Sequence, residues 1–412
     1  MKKTGLIIAL ILMILLITVQ VGQAEERDIN DITKECRFTI CASNKKATSM
    51  TDTKYTSYWE SREIKSPFVT ITSDRPICGL YLCFRNMPES YSIQTGGDNN
   101  WHTVHDGDTR YYHVFYELDH VKQVRIQSTQ EGKHALGFNE IFVFGEGEIP
   151  EWVQRWEDAP EKADIMFLMA HPDDELIFLG GAIPTYGVEK EKNVVVAYLS
   201  YSNTTRRSEA LNGLWTMGIR QYPLFGGFRD CYGKSADDSY KNVTGGKKSG
   251  QQKVWSWVTQ IFRKYRPDVV VTHDINGEYG HGQHKMLADA VIKCLELAAD
   301  EEQFSDIEES PWQIKKLYVH LYGDESNQTH MDWNIPLSKA DGKTGIELAS
   351  EAYACHVTQR GASIKVRGKK QYLSVEETGS TFPNTVFGLY FTAVGNDVNH
   401  QDFLENIPEQ QE

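Results

Sequence analysis

The sequence has no excess of positive charge. Lys and Arg number 43 against 57 Asp and Glu, a net charge of −14 over 412 residues. A surface of that sign repels phosphate backbones, which excludes a protein that wraps nucleic acid and disfavours anionic membrane surfaces. Cys-x-x-Cys spacing is missing, so a cysteine-built zinc site has no support. No internal repeat or low-complexity tract is present. With 40% hydrophobic and 11% aromatic residues, the composition is globular rather than disordered.

The first residues stand apart from the fold. Lys2 and Lys3 precede an apolar run from Leu6 to Val19, and Gly22-Gln23-Ala24 places small residues at −3 and −1 of a cleavage site. This is the pattern of a secretory signal peptide over residues 1–24, which implies a secreted or extracellular-surface protein with no stable membrane insertion after cleavage. An uncleaved anchor is the alternative, because the run approaches the roughly 17 residues needed to span a bilayer. No Cys lies near the cleavage site to take a lipid. Export makes disulfides feasible. Cys78 and Cys83 lie on one strand at i,i+5, on opposite faces, so each must reach the Cys36 and Cys41 region or stay unbridged. Four buried small hydrophobes are the competing expectation.

Residues 25–150 alternate in the manner of strands, at Phe68-Val69-Thr70-Ile71-Thr72, Gly79-Leu80-Tyr81-Leu82, 121–126 and 140–144, with Gly, Asn and Asp clusters between them. That grammar predicts a β-sandwich of the jelly-roll kind. Trp59, Trp101, Tyr111 and Tyr112 are its candidates for stacking on sugar rings, against the ordinary expectation that such aromatics form core. Asn203, Asn242 and Asn327 lie in N-x-S/T sequons, which matter only in a glycosylating host. Pro150 and an acidic stretch suggest a linker over 151–162.

From residue 163 to 412 continuous apolar runs alternate with helical spacing. Strands are expected at 165–170, 193–199, 268–272 and 314–321, and helices at 176–183, 206–217, 254–265 and 281–299. This is the signature of an α/β domain with a doubly wound, Rossmann-like parallel sheet. In such sheets function gathers where strands end. The first strand ends in Ala170-His171-Pro172-Asp173-Asp174-Glu175, four polar side chains that are costly to place after an apolar strand unless they bind something. One helical turn brings His171 and Asp174 to the same side, as mixed nitrogen and oxygen ligands of a catalytic zinc. Asp173 is aimed differently, as a carboxylate beside the metal. A later strand runs into His273-Asp274-Ile275-Asn276-Gly277-Glu278-Tyr279-Gly280-His281-Gly282-Gln283-His284. His281 and His284 share one helix face at i,i+3, and either can complete a three-ligand site. Taken alone, HPDDE is a plausible helix cap and HxxH a solvated face; two such motifs at strand ends of one domain point to a metal centre.

The pairing of AHPDDE with GHGQH resembles the PIG-L/LmbE-type zinc N-deacetylases over roughly residues 163 to 400. Ala352-Tyr353-Ala354-Cys355-His356-Val357-Thr358-Gln359 resembles a later stretch of the same family. The resemblance implies zinc held by His171, Asp174 and His284, with Asp173 as general base. It also implies His281 as an electrostatic or acid group and Tyr279 as the group that polarises the carbonyl. Arg206, with Glu209 in an R-x-x-E spacing, is the implied substrate contact, with Arg207 as its rival. Gly282-Gln283 departs from the Pro-Asp of many members, which puts a carboxylate next to the metal ligands in doubt. Residues 136–145 resemble the last strand of discoidin-like (galactose-binding-like) jelly rolls. The implied activity is removal of the acetyl group from an N-acetylglucosamine-type sugar or glycan, with water attacking the acetamide carbon and Asp173 or His281 protonating the departing amine. An amidase of another acyl amide and a non-catalytic glycan-binding or adhesion protein are the alternatives. Oligomeric state is not legible.

Overall fold

The computed structural model describes residues 30–408 apart from 42–45, 63–64, 98–99, 130–135 and 247–248, so the expected signal peptide lies outside the described residues. Its N-terminal region is antiparallel: β1 (Arg37–Ile40), β2 (Trp59–Glu60), β3 (Phe68–Asn86), β4 (Tyr91–Gly97), β5 (Asn100–Asp106), β6 (His113–Ser128) and β7 (Gly137–Phe144). The order is β2-β7-β3-β6-β4-β5, with β1 on β3. Sequence patterning splits residues 68–72 and 79–82 into separate strands, but the chain runs through both as β3. Pro76 in its middle has no N–H to donate, and the register with β6 breaks between Thr72 and Ile77. Before the break β3 pairs with β1, and after it with β7. Ile71, Leu80, Leu82, Val124 and Ile141 from both halves close a single apolar cluster.

Three of the four aromatics considered for sugar stacking are core or junction residues. Trp59 is fully buried and stacks on Phe138. Tyr111 is buried and donates its hydroxyl to Asp158, and Tyr112 lies under the guanidinium of Arg207. Trp101, on the β5 edge strand, carries Arg125 over its ring. No described cysteine is bridged. The sequons at Asn203 and Asn327 are occupied by structure: Asn203 caps a helix and Asn327 donates to the Leu389 carbonyl.

The C-terminal region places β8 (Ile165–Met169), β9 (Val194–Ser200), β10 (Leu224–Phe228), β11 (Val269–Thr272), β12 (Lys316–His320), β13 (Gln328–His330) and β16 (Val386–Thr392) in one sheet, and β14 (Ser363–Val366) with β15 (Lys369–Tyr372) in a separate hairpin. The sheet order is β10-β9-β8-β11-β12-β16-β13. The first five strands are mutually parallel, and the last two add on antiparallel. The helices are α1 (Asp174–Ile177), α2 (Ala182–Pro184), α3 (Thr204–Thr216), α4 (Ala236–Asn242), α5 (Gly250–Tyr265), α6 (Gly282–Ala299), α7 (Gly345–Ala354) and α8 (Val375–Gly379). The alternation of the pleat explains why the strands are apolar throughout. Ile165, Phe167 and Met169 face a cluster with α3 and α7, while Met166, Leu168 and Ala170 face a cluster with α5 and α6. Both faces are covered, so both must be apolar. The expected helix over 176–183 is broken. Gly180 adopts φ +57°, and a Cβ on Gly181 would lie 2.7 Å from the backbone of Gly345, so the chain turns where α7 packs closest.

Residues 151–162 do not form a free tether. Val153, Gln154 and Trp156 are buried, and Trp156 belongs to the α/β core. The antiparallel region docks on α3. Arg207 donates to the carbonyls of Phe84 and Arg85 at 2.8 and 2.9 Å. His113 bonds Ser208 Oγ at 3.1 Å and Gln154 Oε1 at 2.9 Å, and Thr205 donates to the Tyr55 carbonyl at 3.0 Å.

Candidate metal centre

Three neighbouring parallel strands run into histidine at their carboxyl ends: β8 leads to His171, β11 to His273, and β12 ends on His320. The rings converge with α6, which brings His281 as its N-cap and His284 in its first turn. His171, Asp174, His273, His284 and His320 are all buried.

Hydrogen bonds fix the direction of each ring. Gln283 donates to the Arg229 carbonyl at 3.1 Å and accepts from the Cys231 N–H at 3.0 Å, so its oxygen is turned to His171. His171 Nε2 donates to that oxygen at 2.9 Å, leaving Nδ1 facing Asp174 Oδ2 at 3.1 Å. His284 Nδ1 donates to Glu278 at 2.8 Å, leaving Nε2 facing the same Asp174 oxygen at 3.4 Å. His284 Nε2 is buried without a hydrogen-bond partner. Two unprotonated imidazole nitrogens aimed at a buried carboxylate repel it unless a positive charge lies between them. Burial works to lower the pKa of His284, but Asp174 and the hydrogen bond to Glu278 together raise it, so the position favours positive charge. Burial works to raise the Asp174 pKa, yet His284 and His171 hold it well below the usual carboxylate range. Two groups of ligand atoms fall within 4.8 Å of one another, His171 with His281 and His284, and Asp174 with His273 and His284. His284 is common to both. His273 Nε2 already accepts the Ala170 N–H at 2.9 Å, which makes it the least available of these atoms.

Glu278 stands inside the sequence motif with no role that spacing assigns, and it is the hub of the centre. One carboxylate accepts from His273, His284 and His320 Nδ1, each at 2.8 Å. Burial would raise its pKa, but these imidazoles hold it well below the ordinary range. It supplies the carboxylate that the Gly282-Gln283 departure puts in doubt. Asp230, which sequence reasoning also misses, adds a second one 3.5 Å from His171 Nε2. The signal for His320 is present in the sequence, since it follows the same strand-end rule as His171. Asp230 follows an irregular edge strand, and nothing in its spacing marks it.

Asp173 sits beside this cluster with φ 108°, a conformation that a non-glycine residue adopts only under constraint. Its N–H donates to Glu175 Oε2 at 3.0 Å, and Tyr198 holds the other Glu175 oxygen at 2.7 Å. Its carboxylate pairs with Arg206. Burial pushes the Asp173 pKa up to about 7 against the opposing pull of Arg206. Arg206 also donates to the Pro172 carbonyl, whereas Arg207 turns to the antiparallel region, so the two arginines serve different regions. Glu209 accepts from the Thr358 N–H at 2.8 Å and its hydroxyl at 2.6 Å, which joins the R-x-x-E and 352–359 motifs. His281 Nδ1 accepts the Gln283 N–H at 3.3 Å, so its proton lies on Nε2, and burial pushes its pKa down to about 2. Tyr279 is half-buried at φ 47°, its ring 5.5 Å from that of His281 and 5.4 Å from that of His284.

A buried imidazole and carboxylate cluster at the carboxyl edge of a parallel sheet is the setting of a metal-dependent enzyme. The family described as PIG-L, GlcNAc-PI de-N-acetylase, matches residues 166–295, so the chain carries a PIG-L domain. The 1D-myo-inositol 2-acetamido-2-deoxy-alpha-D-glucopyranoside deacetylase 1 of Frankia casuarinae is 25% identical over 215 residues, 45% of this chain and 68% of that protein. Its namesake in Catenulispora acidiphila is 26% identical over 37% of this chain and 54% of that protein. Among solved structures, N,N'-diacetylchitobiose deacetylase from Pyrococcus horikoshii matches with 18% identity over 48% of this chain and 71% of that one, at a TM-score of 0.36, too low to weigh on either fold or activity.

Proposed function

We propose that the chain is an exported zinc-dependent hydrolase. It removes the N-acetyl group from an N-acetylglucosamine-type sugar or glycan and releases acetate and the free amino sugar. The observation that carries this is His284 Nε2, buried, without a partner and aimed at Asp174 beside a constrained Asp173. His171, Asp174 and His284 would hold the metal, a mixed nitrogen and oxygen set that suits zinc. Zinc bound there supplies Lewis acidity toward the amide and acidifies water.

The chain's own groups do the rest. Asp173, with a pKa near neutrality, accepts the proton of the attacking water on the carboxylate oxygen not turned to Arg206. Tyr279 keeps its phenolic proton because burial raises its pKa, and donates it as a hydrogen bond to the developing oxyanion. His281 Nε2–H is a second neutral donor on the same side. Asp173 then passes its proton to the departing nitrogen. Arg206 orients Asp173 and faces substrate from the end of α3. The curated relatives named as acetamido-glucopyranoside deacetylases support the substrate class. The order β10-β9-β8-β11-β12 supports the doubly wound, Rossmann-like assignment over 163–412. The partner change within β3 supports a sandwich over 25–150, and residues 1–24 support export. The test is acetate release from N-acetylglucosamine oligosaccharides by the zinc-loaded full chain. Metal-loaded, folded protein that releases no acetate from any of them would refute the activity.

A further inference from the structure

We propose that the β14–β15 hairpin binds the anionic groups of a charged glycan, so that the acetamido sugar acted on belongs to a polymer bearing carboxylate or sulfate groups. The inference rests on the deacetylase reading and adds the charge of the substrate to it. In a chain of net charge −14, residues 359–372 hold five cations, Arg360, Lys365, Arg367, Lys369 and Lys370, and no acid. All five are exposed. The Lys and Arg ion pairs among the described residues involve none of them.

The hairpin keeps cations at two positions where they cost stability. Its register sets Lys365 directly opposite Lys370, a like-charge pair that weakens a two-stranded ribbon. Its turn places Arg367 at φ 48° before Gly368 at φ 80°, a position where Asn, Asp or Gly is the relaxed choice. Lys370 rests its ammonium over the Tyr372 ring, 4.4 Å from the centroid, and donates to the Tyr372 hydroxyl at 3.0 Å, contacts local to the hairpin that leave its charge without an ion pair.

The hairpin also adjoins the catalytic rim. Cα atoms of β14 lie within 8 Å of those of Glu278–Gly280, the turn that carries Tyr279. A cavity of about 600 Å³ opens between the hairpin and the end of α8, lined by Arg367, Lys369, Lys370, Gln371, Thr381 and Phe382 among others. Phe382 packs on Tyr279 with ring centroids 6.4 Å apart. Glu377 also lines the cavity, but it accepts the Tyr372 N–H at 3.0 Å, and Glu376 is the other acid of that turn. Cations therefore outnumber acids around a cavity whose Phe382 wall packs on Tyr279, beside which the sugars flanking a reacting acetamide of a polymer would lie.

The experiment compares binding and acetate release for tetrasaccharides of equal length. Hyaluronan alternates N-acetylglucosamine with a carboxylate sugar, a sulfated hyaluronan adds sulfate, and chitotetraose is neutral. The proteins are the zinc-loaded full chain and a variant combining Lys365→Gln, Arg367→Gln, Lys369→Gln and Lys370→Gln, with a thermal melt to establish that the variant is folded. An anionic tetrasaccharide is expected to bind about tenfold tighter than chitotetraose at about 50 mM salt, with the advantage shrinking as salt rises. The variant loses that advantage and keeps its affinity for chitotetraose. The stronger of the two anionic ligands separates carboxylate from sulfate recognition. Equal binding of neutral and charged ligands by the wild-type chain, no binding of any, or an anionic preference that survives in the variant overturns the proposal. So does a hairpin-dependent preference for phosphatidylserine vesicles over every tetrasaccharide. Hairpin-dependent binding without acetate release refutes the deacetylase reading instead, and leaves the anion site in place.

Discussion

His113 and His284 are both buried, at 1% and 0% exposure, yet the two regions of the molecule use them differently. In the antiparallel region both ring nitrogens of His113 meet neutral protein groups, Gln154 and Ser208. Burial, with the Arg207 cation adding to it, pushes its pKa down to about 3. It is a neutral strut between the two regions. Within the α/β region, His284 has Nδ1 tied to Glu278, while Nε2 faces Asp174 with no donor between them. The difference is one of satisfaction. A polar network that closes on itself specifies packing, while one that leaves a single buried atom open is arranged for something else. Arg206 and Arg207 divide between the two regions one residue apart, Arg206 pairing with Asp173 and Arg207 donating to the Phe84 and Arg85 carbonyls.

The largest expected effect lies on the open side of this comparison. Asp173→Asn should lower turnover by about 10²–10⁴. Its thermal melt and metal content should stay close to wild type, because the amide can still accept from Arg206. Loss of metal from this variant, seen by elemental analysis, would mean that Asp173 is a ligand and that its role and that of Asp174 are exchanged. Glu278→Gln comes next. With the shared acceptor of three imidazoles neutralised, metal affinity should fall about 10–100-fold in a competition titration. Unchanged affinity would make Glu278 a packing residue.

The closed side predicts stability effects. Arg207→Met removes charged hydrogen bonds to two carbonyls and should cost about 2–3 kcal/mol in denaturant unfolding. Arg206→Met also removes a buried charge partner, and unlike Arg207→Met it should in addition lower kcat/KM about tenfold or more, since the lost partner touches Asp173. Similar unfolding and kinetic changes in both variants would erase the distinction between the two arginines.

The smallest effect concerns pH. Burial, with Asp52 adding to it, pushes the Glu140 pKa up to about 8 from its ordinary 4.5. The folded state thus holds a proton that the unfolded state releases. Glu140's contribution is complete below about pH 4.5 and is lost as pH rises through about 8. His113 acts in the opposite sense at lower pH, since its depressed value adds stability as pH rises from about 3 to 6.5. Melting temperature should fall less between pH 5.5 and 8 in Glu140→Gln than in wild type, a window set by these shifts. Parallel curves would show that Glu140 does not carry this dependence.

The α/β half is the more legible in sequence. Its strands are continuous apolar runs because both faces are covered, and polar residues directly after such runs have few places to go except a site. That rule reaches His171, Asp173 and Asp174, and applied to every strand it also reaches His273 and His320. Glu278 is harder to find, because its role depends on three rings from different elements converging on it. The antiparallel half is less legible. Alternation indicates strands but not that β3 is continuous past Pro76, and aromatic residues there read equally as sugar platforms or as core. Trp59 goes to the core of that half against Phe138, and Tyr111 and Tyr112 go to the junction, on Asp158 and under Arg207. The docking of that half on α3 depends on tertiary contacts such as Arg207 with Phe84, which no local pattern encodes. It also ties α3, and with it Arg206, to the antiparallel half.

The most direct test of the central claim is metal stoichiometry by elemental analysis of three folded proteins, the wild-type chain, His284→Ala and His113→Ala. About one zinc per chain is expected in the wild type and in His113→Ala, and close to none in His284→Ala, the usual consequence of losing one of three protein ligands. Full zinc content in His284→Ala, or none in any of the three after loading, would contradict the account.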